Sequence, residues 1–145
     1  MREWMRLFES QLREIEVSDQ FGSAEGYVTD TAAEQVDNWF AHRHNETAPD
    51  TIKMIRNEFS RIAFLNNINV PNESQRGRGN GKALLDQFID EAAEEGAESI
   101  FLFADQNEDQ IDGFELQKWY VSQGFEEVHP ATGLFYLPLM MLDLR

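Results

Sequence analysis

The chain has 145 residues, a formal net charge of −15 at pH 7 and no cysteine. Its 41% hydrophobic content, which includes 11 Phe and 3 Trp, can build a core, so the acidity does not indicate disorder. The lack of cysteine excludes disulfides and thiolate chemistry, and the acidity disfavours nucleic acid as a partner. The charged first residues resemble neither a signal peptide nor a membrane span, so we expect a cytoplasmic protein with one domain over residues 1–145.

The N-terminal part of the sequence favours helices. Apolar residues at helical spacing predict a helix from Arg2 to Ile15. Asp30 or Thr31 could cap a second helix, which would bury apolar residues up to position 40. The glycine-containing segment between these helices leaves room for a short strand at Tyr27 and Val28.

The middle of the chain predicts an alternation of extended and helical segments. Residues 51–55 and 61–70 are two apolar runs that suggest an antiparallel pair of strands. Residues 79–95 show an apolar stripe opposite acidic positions, which predicts an amphipathic helix that ends at Gly96. The uninterrupted run at 99–104 is typical of a buried strand, and a strand–helix–strand order implies parallel pairing.

The last third of the chain predicts one more helix and two closing strands. The helix covers residues 111–123 and ends at Gly124, with Phe125 placed to fold back onto it. The strands lie near residues 125–128 and 135–142.

The stretch QRGRGNGKALL, from Gln75 to Leu85, concentrates basic residues and glycines at a predicted helix start. It is not a Walker A loop or a dinucleotide fingerprint, because Arg76, Ala83 and Leu84 occupy positions that those motifs reserve for other residues. Glycines allow a ligand to approach backbone N–H groups, and a helix N-terminus attracts anions. The stretch therefore predicts a site for a phosphate-bearing ligand such as a pyrophosphate.

Two motifs resemble those of the GNAT superfamily of N-acetyltransferases. The residues RGRGNG at 76–81 match the family's acetyl-CoA loop, [QR]-x-x-G-x-[GA], and WYVSQGF at 119–125 matches an aromatic–Tyr pair followed by Gly-Phe. The chain differs at Gly113, where the family often has Asn. The resemblance runs from about Arg61 to the C-terminus. It implies an α/β (α+β) fold with a mixed central sheet flanked by helices and an acetyl-CoA-binding core at about residues 61–125.

The resemblance also implies roles for individual residues. Tyr120 would be the general acid that returns a proton to the leaving thiolate, which suits an ordinary tyrosine pKa near 10. Its alternative role is that of a core aromatic. The cofactor would be bound by the strand edge, the loop and two cations, in chain order Ile68, Val70, Arg76, Gly77, Arg78, Gly79, Gly81 and Lys82. Among these, the Val70 N–H would polarise the acetyl carbonyl. The general base remains open between Glu58, Asp105, Glu108 and a water chain.

The function that these features imply is transfer of acetyl from acetyl-CoA to a primary amine of a small molecule or of a basic peptide or protein. The acidic surface would attract such an acceptor. The alternative is a non-catalytic module that binds CoA or another protein. His42, His44 and His129 lack the spacing of a zinc site, so no metal is expected. We expect no nucleic-acid or membrane partner and leave a homodimer open.

Overall fold

The computed structural model describes residues 12–32, 49–72, 74, 78–104, 116–129 and 138–145. Three helices lie within these ranges: α1 (Pro49–Glu58), α2 (Asn80–Glu94) and α3 (Leu116–Ser122). The described strands are β1 (Leu12–Asp19), β2 (Gly22–Asp30), β3 (Arg61–Asn69), β4 (Ser99–Phe103), β5 (Glu126–His129) and β6 (Leu139–Asp143). They form one mixed sheet in the order β1-β2-β3-β4-β6-β5. This confirms the predicted α/β fold with a mixed central sheet.

The first described strand corrects the predicted N-terminal helix. Residues 12–15 belong to β1, which pairs antiparallel with β2. Ile15 and Val17 are buried between exposed neighbours, and this period of two is typical of a strand with one buried face. Residues 2–11 lie outside the described ranges. The predicted short strand at Tyr27 and Val28 is confirmed as part of the longer β2.

Residues 51–55 form part of helix α1, so the predicted antiparallel pairing with residues 61–70 is wrong. The β-branched residues in this run favoured a strand, but Ile52, Ile55 and Phe59 are spaced as on one helix face and pack against the sheet. The helix predicted after Thr31 lies mostly outside the described residues. The Thr31 hydroxyl donates a hydrogen bond to the Phe59 carbonyl, 2.8 Å away.

The strand–helix–strand unit is confirmed. β3 leads into α2, which leads into β4, and β3 pairs parallel to β4. On its other side β3 pairs antiparallel with β2. The predicted 79–95 helix and 99–104 strand match α2 and β4 closely. Gly96 follows α2 with a positive φ, as the helix-stop interpretation requires.

Both faces of the sheet carry a packed core. On one face, α2 and α3 pack against a cluster that includes Val28, Leu65, Phe88, Leu102 and Tyr120. On the other face, α1 packs against a cluster that includes Phe64, Phe101 and Met141. These two layers explain why β4 is apolar without interruption.

The C-terminal elements follow the prediction in order. Leu116–Ser122 of the predicted helix is helical, whereas 111–115 lie outside the described residues. The closing strands β5 and β6 are antiparallel, and β6 inserts between β4 and β5. None of the described helices combines the length and apolar character that a membrane span requires.

Candidate active site

The central feature of the site is the point where β3 and β4 separate. The described ladder between them contains two pairs, Ala63 with Ile100 and Phe64 with Phe101. β3 continues to Asn69, and β4 continues to Phe103 while pairing with β6 instead. The parallel strands therefore diverge beyond their first paired residues and leave an edge of β3 turned toward the gap.

The far end of β3 contains the predicted strand-edge residues. Ile68 lies opposite Ala24 of β2, and Ile68 and Val70 are partly buried against the same core cluster as Tyr120. Between Leu65 and Asn67 the register with β2 shifts, so that Asn66 is an extra residue on β3. Such a bulge bends a strand and re-aims its backbone groups.

Gly22 of β2 allows a close approach that the sequence did not reveal. A Cβ built on Gly22 would lie 2.0 Å from the Asn69 carbonyl oxygen and 3.1 Å from the Val70 Cα. No real side chain fits at these distances, so the backbone of residues 69–70 sits where it does because position 22 has no side chain. In the sequence, the glycine at the start of β2 could have indicated a close backbone approach, but only the fold shows that residues 69–70 make it.

The start of α2 is shaped by Gly79, which has φ of +84° and lies at the N-cap. This left-handed conformation favours glycine, and a Cβ there would meet no atom of the described residues within 4 Å, its two chain neighbours aside. The Ala83 N–H donates to the Gly79 carbonyl at 3.0 Å, whereas the earlier N–H groups point out of the helix start. The first turn has no acidic residue, which keeps this end favourable for anions.

The predicted cations at this turn differ in their surroundings. Arg78 is exposed. The Lys82 ammonium lies 2.8 Å from the Asp86 carboxylate one turn later in α2, and both side chains are more than half exposed. Lys82 would have to exchange this partner to contact a phosphate. Arg76 and Gly77 lie outside the described residues.

Tyr120 is buried in α3 between two aromatic rings. Its ring centroid lies 5.0 Å from that of Trp119 and 5.4 Å from that of Phe125, and both contacts are edge-on. The Phe125 N–H donates to the Tyr120 carbonyl at 3.0 Å, which closes the end of the helix. Burial raises the pKa of Tyr120 above its ordinary value, because a phenolate would lose solvation. The side chain is therefore a neutral O–H donor at physiological pH.

Trp119 connects Tyr120 to the start of α2. Its ring atoms Cζ2 and Cη2 lie 3.8 Å and 3.9 Å from the position of a Cβ on Gly81. The structure thus brings together three sequence-predicted features: the turn at Gly79, the first turn of α2 at Gly81, and Tyr120. The spacing of residues 81 and 119 along the sequence gave no sign of this contact.

The candidate bases are not equally placed. Glu58 ends α1 just before β3 begins, and its carboxylate lies 3.4 Å from the Arg145 guanidinium. The length of β3, about 30 Å at the usual rise per residue, separates Glu58 from Val70, which argues against Glu58 as the base. Asp105 and Glu108 lie outside the described residues. In the described part of the chain, no group of three or more potential metal-binding side chains occurs.

Solved structures with the same fold include an anti-CRISPR protein and several acetyltransferases. The anti-CRISPR protein AcrVA5 has a TM-score of 0.54 at 18% identity, covering 90% of this chain and 98% of its own. Nourseothricin acetyltransferase has a TM-score of 0.55 at 15% identity, covering 94% and 68%. The PaiA N-acetyltransferase from Thermoplasma acidophilum, solved with coenzyme A, has a TM-score of 0.52 at 12% identity, covering 98% and 67%. At these identities the likeness shows the fold alone, the α/β fold of acetyltransferases.

The family follows from the sequence profile. The acetyltransferase (GNAT) family matches residues 51–125, which is just over half of the chain. No curated protein matches the sequence. The chain belongs to the acetyltransferase (GNAT) family, in agreement with the resemblance of its two motifs. By class it is therefore an acetyltransferase.

Proposed function

We propose that the protein transfers acetyl from acetyl-CoA to a primary amine of a small molecule, peptide or protein by direct attack. The observation that carries the proposal is one juxtaposition. The gap between β3 and β4, the glycine turn at the start of α2 and the buried Tyr120 all border one packed cluster. An anion-binding helix start, a strand edge at the gap and a proton donor are the parts that transfer from a CoA thioester requires.

The residues at this place fit the phosphates and the pantetheine arm of CoA. No described residue comes within 4 Å of a Cβ built on Gly79, and the first turn of α2 contains no acidic residue. A pantetheine arm could pair with the Ile68–Val70 edge as an added strand does. The resemblance extends the phosphate site to Arg76, Gly77, Arg78, Gly81 and Lys82.

The chemistry of the proposal needs few special side chains. Attack by the neutral amine on the thioester carbonyl forms a C–N bond and an oxyanion, which the Val70 N–H would stabilise. One such donor is worth roughly 3 kcal/mol in other oxyanion holes. As the C–S bond breaks, Tyr120 donates its proton to the thiolate sulfur. The ammonium proton of the acceptor leaves to a base or water chain that we do not assign.

The acceptor class follows from charge. A net charge of −15 favours a cationic amine or a basic peptide over nucleic acid. We further propose one domain over residues 1–145 in the cytoplasm, and leave a homodimer open.

The rival function is a non-catalytic module that retains the fold to bind CoA or a protein. A purified sample examined by mass spectrometry for carried-over CoA, followed by an acetyl-CoA assay over a broad amine panel, separates the two. Bound CoA with turnover of at least one amine supports the enzyme. Bound CoA without any turnover would support the rival.

The cofactor site has a separate test in ligand-dependent stability. Because acetyl-CoA binds the folded state alone, a hundredfold excess over its dissociation constant should add about 2.7 kcal/mol to the free energy of unfolding. Gly81→Glu should abolish this gain by placing a carboxylate at the first turn of α2. Gly81→Ala is the matched control, because its Cβ would make only ordinary contact with Trp119. An unchanged melting temperature of the wild type at millimolar acetyl-CoA would refute the cofactor.

A further inference from the structure

Trp119 lies between the first turn of α2, the proposed phosphate-binding turn, and Tyr120, the proposed general acid. On one side, its indole atoms Cζ2 and Cη2 lie 3.8 Å and 3.9 Å from the point where a Cβ on Gly81, in the first turn of α2, would stand. On the other side its centroid is 5.0 Å from the ring of Tyr120, with the two planes at 65°. Its side chain is partly buried and packs against the same core cluster as Tyr120. One side chain therefore packs against the proposed acid and lies next to the proposed phosphate-binding turn.

The ring of Tyr120 packs against two aromatic neighbours. In the described part of the chain its helix, α3, covers Leu116–Ser122. Phe125 holds the Tyr120 ring on one side, 5.4 Å away, and Trp119 holds it on the other. Removal of the Trp119 contact would free the tyrosine ring to tilt.

The same indole lies beside the first turn of α2. Gly81 has no side chain, and Trp119 of α3 lies next to the space that a Cβ at position 81 would occupy. A smaller side chain at 119 would leave a void beside the first turn of α2 and admit water there. The position of the Tyr120 hydroxyl relative to the first turn of α2 would then no longer be fixed.

We propose that Trp119 is a positioning residue. Its indole holds the hydroxyl of Tyr120 at a fixed position relative to the first turn of α2, so that cofactor binding and proton donation both depend on it. This inference rests on the proposed function. It assigns Trp119 no contact with the reacting atoms.

The test compares Trp119→Leu, Trp119→Phe and Val121→Ala. Val121 lies on the same helix but is 54% exposed, so its truncation controls for general effects on α3. Trp119→Leu should raise KM for acetyl-CoA and lower kcat, each by about tenfold or more, since a misplaced catalytic group costs one to two orders of magnitude. Trp119→Phe keeps an aromatic edge beside Tyr120 and should recover most of kcat but less of KM, because its smaller ring no longer reaches Gly81.

Two further readouts separate positioning from simple loss of stability. Burial raises the pKa of Tyr120, so kcat of the wild type should show no alkaline fall from this residue, whereas one should appear in Trp119→Leu as water gains access to the ring. Tryptophan emission should change on titration with CoA in the wild type and not in Trp119→Phe, which keeps Trp4 and Trp39. Trp119→Phe also covers the case in which Trp119→Leu does not fold.

The outcomes are distinct from those of the proposed function. An active, CoA-binding wild type together with folded Trp119 variants of unchanged kcat, KM and pH profile would overturn the inference alone. A wild type that neither binds CoA nor acetylates any amine would overturn both.

Discussion

Tyr120 is a residue whose proposed chemistry and whose packing can be separated by one atom. Tyr120→Phe keeps the ring contacts with Trp119 and Phe125, so the free energy of unfolding and acetyl-CoA affinity should change little. Loss of the general acid should slow turnover by roughly 10²- to 10⁴-fold if proton transfer limits the rate. Pre-steady-state acetyl transfer measures this step. A variant with full turnover, where chemistry is rate-limiting, would make Tyr120 a core aromatic only.

A substitution at Gly22 tests the backbone position of Asn69 and Val70, where the proposed oxyanion donor lies. Gly22→Ala would place a methyl group 2.0 Å from the Asn69 carbonyl oxygen, and the carbonyl would have to move. We expect a loss of stability of about 1–3 kcal/mol, as for other overpacked sites, and a fall in kcat because the Val70 N–H moves with Asn69. Denaturant unfolding and steady-state kinetics measure the two effects. Ser23→Ala is the neighbouring control, and wild-type behaviour of Gly22→Ala would contradict the close approach.

Among the elements, β3 and β4 are joined at their starts by the carboxylate of Glu98. One oxygen of Glu98, just before β4, accepts hydrogen bonds from the backbone N–H groups of Ser60 at 2.6 Å and Arg61 at 3.1 Å. Arg61 begins β3, so Glu98 ties the starts of the two parallel strands together. Those hydrogen bonds lower the pKa of Glu98 below its ordinary value of 4.5.

This lowered pKa gives the junction a predictable pH dependence. A carboxyl whose pKa is lower in the folded state stabilises the fold above its unfolded pKa, and the stabilisation is lost as the pH falls through the folded value. The melting temperature of the wild type should therefore drop more steeply below about pH 4.5 than that of Glu98→Gln. Glu91→Gln, an exposed position on α2, should follow the wild type. Parallel curves for wild type and Glu98→Gln would show that these hydrogen bonds carry no net stability.

The elements also show where local sequence signals fail. Residues 51–55 are rich enough in β-branched side chains to suggest a strand, yet they form α1, because Ile52, Ile55 and Phe59 together cover one face of the sheet. Propensity is a weak preference that burial of an apolar face overrides. Residues 12–15 show the opposite error, since a helical spacing of apolar residues there ends in the edge strand β1.

For the whole molecule, the acidic surface should act on encounter rates. Exposed carboxylates occur on β1, β2 and α2, among them Glu14, Glu16, Glu25, Asp86, Asp90 and Glu94. With acetyl-CoA saturating, kcat/KM for a polyamine acceptor should fall as salt rises, because the Debye length shrinks to about 10 Å at 0.1 M. The kcat itself should stay constant. A monoamine of similar reactivity should show a weaker salt dependence, and equal slopes for both acceptors would exclude steering by the acidic surface.

The sequence by itself determined the family, the β3–α2–β4 unit and the helix end at Gly96. These features depend on short-range patterns: a glycine loop that opens a helix, an apolar stripe of period 3.6 and a buried apolar run. The tertiary structure decided which elements meet. The divergence of β3 from β4, the approach of Gly22 to Val70 and the position of Trp119 beside Gly81 join residues distant along the chain. Such contacts leave no local pattern, because they arise only when the sheet and its helices pack.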